Sequence, residues 1–409
     1  MMRINDLILR LPGVSGRQVH KYKPARRRYN RPYSCHLLRS LRITIFATCA
    51  LVCSLYVAAD IEIETLGVGT FAGAGPHGIL INNLSNQTDI YDADTAEMMG
   101  RLSLGGDASI IEIDWVRRQF LVAETYRARL TRGTRTDVVT GYDFDTLSAK
   151  REIVIPPKRL GGSYIRNNTG LTDDARFMLL NNITPAMSIS VVDLENSTLA
   201  SEIATAGCGL VYPTGNRSFL QSCGDGAVQL ILLDDDGGER KRLRSRVFFD
   251  LIDEPIFEEA ARTDDGWVFV SYGGKIFLVS IEGEKIIVQF LLQLNEGNED
   301  WRPGGLQPLA YHERSDSLVI LMHEGGIDSH KYAGTEVWLI KLGAKKLLHR
   351  LPLENISTAI EISQDDNPLL YSAFINSTDL DIYDLKLGKK TGSISGLTPG
   401  TTQLQNFQP

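Results

Sequence analysis

From residue 66 onward one short pattern returns seven times: an apolar run, often ending in aspartate, followed by a polar turn that carries Thr, Gly or Lys. The copies read DIYDADTAE, TGYDFDTLSAK, SVVDLENST, LILLDDDGG, IFLVSIEGEK, VWLIKLGAKK and DIYDLKLGKKTG. Their turn-flanking residues, Asp92, Asp143, Asp193, Asp234, Ser280, Lys341 and Asp384, are 51, 50, 41, 46, 61 and 43 residues apart. Short β-branched and aromatic runs bounded by Gly, Asn and Asp, with no amphipathic helix among them, predict an all-β chain. A repeat of that length holds one four-stranded antiparallel blade, which cannot bury both faces alone; stacking blades around an axis buries them against one another. The expectation is a seven-bladed β-propeller. The aspartates are read as hairpin formers that accept local backbone hydrogen bonds. Insertions are expected in the second blade, around 125–137, and in the long interval that contains 295–335.

The segment ahead of the repeats has a different character. Residues 1–42 carry eleven Lys or Arg and one acid, Asp6, and 43–59 (ITIFATCALVCSLYVAA) carry no charge and end in Val57-Ala58-Ala59. A basic region, an apolar run and small residues in that order read as a secretory signal. The expected division is a leader and signal peptide over 1–59 and a propeller over 60–409, exported to the periplasm and free of the membrane after cleavage. An uncleaved anchor is the alternative, although 17 apolar residues are at the short end for a bilayer. The formal charge of −7 conceals 32 basic against 49 acidic side chains beyond the leader. That excess argues against nucleic-acid binding, which requires a cationic surface.

Beyond the leader two cysteines remain, Cys208 and Cys223, flanking a stretch with Pro213 and Gly215 that suits a turn. In an oxidising compartment such a pair closes as a disulfide; two separate buried thiols are the other reading. Gly73-Ala74-Gly75-Pro76-His77-Gly78 matches a dinucleotide-binding spacing, but the next residues, ILINN, read as a strand, so no helix N-terminus is present to cradle a phosphate. His77, His312, His323, His330 and His349 lack the spacing of a zinc site, and no metal is expected. Trp115, Trp267, Trp301 and Trp338 are read as blade packing.

Two strings carry the reading further: NEDWRPGGLQPLAYH, from Asn298 to His312, and HEGGIDSHKYAGTEVWLI, from His323 to Ile340. They closely resemble the heavy subunit of the bacterial quinoprotein amine dehydrogenases, the methylamine and aromatic amine dehydrogenases. RLTRGTRTDVVTGYDFDTL, the Cys208/Cys223 pair and SQDDNPLLYSAF agree in order, so the resemblance spans roughly 75–397.

The resemblance implies a periplasmic α2β2 assembly in which this chain has no catalytic residue of its own. The small subunit would carry tryptophan tryptophylquinone and the catalytic base. The complex would convert primary amines to aldehyde and ammonia and pass electrons to a blue copper protein or c-type cytochrome. The heavy chain's part would be to position the small subunit and desolvate its quinone pocket. Trp301, Arg302, Gly304, Gly305 and His312 are expected in or behind the docking face, with a tight blade corner as the competing role; His330 and Lys331 are expected on the same surface. Arg129, Arg132 and Arg135 fall in the second-blade insertion, as solvated loop or interface. In methylamine-oxidising relatives a Gly-Gly-Phe puts an aromatic at the substrate channel, whereas here Gly105-Gly106 precedes Asp107. A polar channel, or a capped turn, is expected there. The competing function is a stand-alone periplasmic propeller that binds a ligand or protein without a quinone partner.

Overall fold

The structure, a computed structural model, describes residues 70, 71 and 73–408; the leader and the signal run lie outside the described residues. Seven antiparallel sheets succeed one another along the chain. The second blade is typical: Gly106–Asp114 is innermost, with Gln119–Arg129, Arg132–Asp143 and Ala149–Ile155 in order outward. The seven repeat positions all fall at or beside the third strand of a blade, in strands such as Gln87–Asp92, Ser188–Asp193 and Asp379–Asp384.

Local chemistry explains why the repeat was visible. Asp143 Oδ1 accepts the backbone N–H of Asp145 at 2.9 Å and of Thr146 at 2.8 Å. Asp193 does the same for Glu195 and Asn196, and Asp384 for Lys386 and Leu387. Each of these turns then places one residue in the left-handed region: Ala96, Leu147, Ser197, Gly237, Gly283, Lys345 and Gly388. A capped turn with a left-handed bulge residue after it is a standard way to join two strands without splaying them.

Packing between blades supplies the core. Seven clusters of buried apolar side chains each bridge two neighbouring blades and none lies within a single sheet. Trp338, fully buried between the fifth and sixth blades, stands 5.7 Å from Trp301, with the Arg350 guanidinium over both rings. Trp115 and Trp267 occupy the corresponding clusters between blades one and two and between four and five. All four tryptophans therefore pack between blades, as expected. Truncating a side chain such as Trp338 costs about 3–5 kcal/mol.

Two features were not legible beforehand. The ring closes through the C-terminal strand Thr401–Asn406, which pairs with Gly78–Asn83 and becomes the innermost strand of the first blade. The sixth sheet has five strands because its inner strand is in two pieces, Trp301–Pro303 and Leu309–His312, both paired with Ser317–Glu324. Between the pieces, residues 304–308 leave the sheet. Gln307 reaches the seventh and first blades, donating to the carbonyls of Ile360 and Leu404 and accepting the Leu404 N–H. Strand Gly78–Asn83 begins at the last residue of the glycine-rich hexapeptide, which settles against a dinucleotide fold.

Candidate docking face and axial cavity

Antiparallel order fixes two faces. Each innermost strand starts at one face, here called upper, and ends at the other, called lower; the loops entering the inner strands and the loops joining second to third strands share the upper face. Among the described residues, the large apolar side chains exposed in connecting loops divide unevenly between the faces. Leu84, Leu130, Ile183, Val247, Leu251, Ile252, Ile327 and Tyr332 lie in upper loops; only Val116 and Leu387 lie in lower ones. Scattered exposed apolar residues are ordinary; their concentration in the upper loops is what distinguishes the two faces.

Trp301, Arg302, Gly304, Gly305, His330 and Lys331 all fall on the upper side of the sixth blade. His330 stacks on Tyr272 of the fifth blade, ring centroids 3.8 Å apart, and Lys331 pairs with Glu258 at 3.0 Å. The two glycines are buried. A Cβ on Gly304 would lie 2.5 Å from His323 Nδ1, and one on Gly305, whose φ is +122°, would lie 2.8 Å from the Thr358 carbonyl. They make the tight corner itself, beneath the surface. His312 is elsewhere: it ends its inner strand at the lower face, buried, with Nδ1 2.7 Å from Ser315 Oγ and Nε2 2.8 Å from the Asp365 carbonyl. The fold separates it from the other residues because a strand carries its two ends to opposite faces.

The second-blade insertion is a hairpin rising from the upper face, its tip at Leu130 flanked by the exposed Arg129 and Arg132. Arg135 is not at the tip. It holds fully buried Asp137 through two 2.7 Å bonds, and Asp137 also accepts the Thr125 hydroxyl and the Arg159 N–H. Arg159 is 3 % exposed, and burial pulls its guanidinium down to about 10. Beside it, buried Glu124 receives the Gly105 N–H at 2.6 Å and the hydroxyls of Tyr126, Thr140 and Tyr142. Asp107 sits over this network with φ +61°, its carboxylate 2.7 Å from Arg127 and its carbonyl accepting from Arg159. It is a held turn at the upper mouth of the ring. Nothing in the sequence announced Glu124, Asp137 and Arg159 as partners: the first two lie in strands of the long hairpin and Arg159 in the loop after Ala149–Ile155.

Cys208 and Cys223 form the expected disulfide, joining the inner and second strands of the fourth blade directly across the ladder. Closing a loop of that size contributes about 3 kcal/mol on the chain-entropy model.

Along the axis lies a cavity of about 390 Å³ lined by residues from all seven inner strands. Arg166 reaches into it, 3.4 Å from Glu361, while its backbone N–H donates to Glu259 at 2.9 Å; Glu112 takes the Thr169 hydroxyl at 2.6 Å. Burial pushes Glu259 up to about 7 and raises Glu112 and Glu361 above the ordinary carboxylate range. No group of three or more His, Cys, Asp or Glu side chains among the described residues is arranged to hold a metal ion, and no described helix is long and apolar enough to cross a membrane.

Comparison with known proteins places this geometry. Residues 83–405 match the family model described as methylamine dehydrogenase heavy chain (MADH). The methylamine dehydrogenase heavy chain of Paracoccus versutus is 31% identical over 290 residues, 69% of this chain and 67% of that one. Its counterpart from Methylobacillus flagellatus is 26% identical over 316 residues, 76% and 79% of the two chains. Among solved structures, a Pseudomonas aeruginosa periplasmic gluconolactonase superposes with a TM-score of 0.56 at 13% identity, over 80% of this chain and 98% of its own. A functionally unknown protein from Desulfotomaculum acetoxidans gives 0.57, also at 13%, over 81% and 99%. At that identity these two structures establish the fold alone.

Proposed function

The chain belongs to the methylamine dehydrogenase heavy chain family, and from that premise we propose that it is the heavy subunit of a periplasmic α2β2 amine dehydrogenase whose small subunit seats on the upper face. The small subunit carries tryptophan tryptophylquinone, which supplies the oxidising chemistry that turns a primary amine into aldehyde and ammonia; a blue copper protein or c-type cytochrome takes the electrons. All four tryptophans here are engaged between blades, which fits a chain that leaves the cofactor to its partner. The single observation that carries the reading is the collection of exposed apolar side chains on one face.

The work of this chain is then to cover and to position. The rim formed by Leu130, Ile327 and Tyr332 buries apolar surface against the partner, and His330 and Lys331 give that rim its polar edge. Trp301 and Arg302 stand beneath, and Gly304 and Gly305 hold the corner in place. Asp107, paired with Arg127, makes the mouth of the ring polar where methylamine-oxidising relatives carry an aromatic, so methylamine is not the assumed substrate. Excluding water from the partner's pocket strengthens every electrostatic interaction inside it.

The test is to purify the protein from the periplasm of its native host. The expected result is a co-purifying small, cysteine-rich chain with quinone absorbance that bleaches when a primary amine is added. A colourless protein that runs alone overturns the reading and leaves a stand-alone propeller.

A further inference from the structure

We propose that His323 is a positioning residue for the docking rim: its neutral imidazole latches the 325–333 loop, and a second proton on the ring releases that loop. The loop carries Ile327, His330, Lys331 and Tyr332 on the upper face. His323, next to last in strand Ser317–Glu324, is 3 % exposed. Its Nε2 is 2.8 Å from Ser329 Oγ, and the Ser329 hydroxyl donates to the Gly326 carbonyl at 2.7 Å. A hydroxyl has one proton to give. With that proton on Gly326, Ser329 Oγ accepts from His323, so Nε2 carries the ring hydrogen and Nδ1 the lone pair. Among the described residues, no other hydrogen bond runs from 326–329 to the body of the blade.

The site has no place for a second proton. Nδ1 is buried without a hydrogen-bond partner. The ring lies between two glycines: a Cβ on Gly304 would stand 2.5 Å from Nδ1, and one on Gly325 would stand 2.8 Å from Nε2. Arg302, opposite His323 in the ladder, is the charged group that acts on the ring, and it has the same sign. On the third strand, Gly334–Lys341, Glu336 is engaged by Trp338 and Arg350. In the loop, Lys331 pairs with Glu258 of the preceding connection, and Asp328 acts on His330, which stacks on Tyr272. Asp300 meets Gly325 through its backbone carbonyl, Glu324 is exposed, and the seventh blade brings only the uncharged Thr358 to this corner. Burial, with Arg302 behind it, pulls His323 below the ordinary imidazole range. A proton therefore fits the open loop and not the closed one. The closed loop is fully favoured above the free value near 6.5 and loses ground as pH falls from there towards the folded value.

The latch belongs to this chain alone; its effect on docking rests on the small subunit seating on the upper face. Hydrogen-exchange mass spectrometry on the full chain follows the amides of Gly305, Gly325 and Tyr332, which donate to the carbonyls of His330, Asp300 and Ser329. Corrected for the intrinsic rate, their exchange should rise about tenfold from pH 7.5 to 5.5, the factor a free imidazole gains one pH unit below 6.5. His323→Gln, which keeps an N–H donor near the place of Nε2 and takes no proton, should hold the loop at both pH values. His323→Asn, whose donor falls short of Ser329, should leave it loose at both. Exchange that stays flat in the native chain, or rises as much in His323→Gln, overturns the latch. Nitrogen-15 spectra of the histidine-labelled native chain need no variant: Nε2–H is expected at pH 7.5, and a proton on Nδ1 there also overturns it. In the holoenzyme, small-subunit association should weaken in acid in the native chain and not in His323→Gln. Association that ignores an opened loop would instead move the small subunit off this rim and leave the latch standing.

Discussion

The two faces of the ring are built by different means. The lower face is made of repeated short turns, several of them capped by an aspartate that satisfies two backbone N–H groups within its own hairpin. The upper face is made of unequal loops: a long hairpin in the second blade, the 245–260 connection, and the paired excursions 304–308 and 325–333 in the sixth. Several of its carboxylates are held by residues distant in sequence, as Asp107 is by Arg127 and Glu258 by Lys331. The difference teaches which face a partner can select. Lower turns are capped by their own aspartates, tied across blades at points such as His77–Asp365 and His312–Asp365, and present little apolar surface, whereas upper loops leave apolar side chains uncovered.

The contrast is open to attack by substitution. Asp137→Ala, at the upper face, leaves Arg135 and buried Arg159 without their shared carboxylate and should cost about 3–5 kcal/mol, read as the shift in a urea unfolding curve. A loss under about 1 kcal/mol would mean that the network is not holding the hairpin. Next in size is docking. Tyr332→Asp should weaken small-subunit association by about thirtyfold, roughly 2 kcal/mol, and Val116→Asp on the lower face by less than about threefold; surface-bound holoenzyme titrations that ranked the two the other way would exchange the faces.

A smaller effect belongs to the seam between the first and seventh blades on the lower face. His77 stands 2.7 Å from Asp94 and 3.2 Å from Asp365. Burial pulls its imidazole down, but the hydrogen bonds and charges of the two aspartates more than reverse this, so its value in the folded chain lies above the ordinary one. A raised histidine contributes stability that is complete below its unfolded value near 6.5 and is lost as pH rises through the folded value. The native chain should therefore lose about 1 kcal/mol relative to His77→Gln between pH 6 and 8.5; parallel pH profiles would show that the seam carries no such linkage. Asp384→Ala should likewise cost only about 1 kcal/mol, the usual worth of a cap, and much less than Asp137→Ala. Smallest is Lys345→Gly. Lys345 is exposed with φ +51°, and glycine relieves that conformation, for a gain of about half a kcal/mol in the same unfolding assay.

How much of the site was readable depends on the same division. Asp143 and Asp193 act within three residues of themselves, so their role stands in the local string, and so does the turn that brings Cys208 to Cys223. Trp301 to Gly305 was readable as a special segment, and the structure assigns its glycines to the corner and its tryptophan to the space between blades. His312, eleven residues after Trp301, looked like part of the same surface. It lies at the opposite face because the inner strand runs between them, and no local feature gives a strand's direction relative to the axis. Tyr272, which completes the His330 stack, is contributed by another blade and had no signal of its own.

By itself the sequence determined the number and type of the blades, because each third strand ends in a turn whose hydrogen bonds are made within a few residues. Only the tertiary structure decided how the ring closes, which loops share a face, and that Glu112, Glu361 and Arg166 line one cavity on the axis. Those outcomes depend on contacts between blades separated by tens to hundreds of residues, where burial and the direction of each strand select the neighbours.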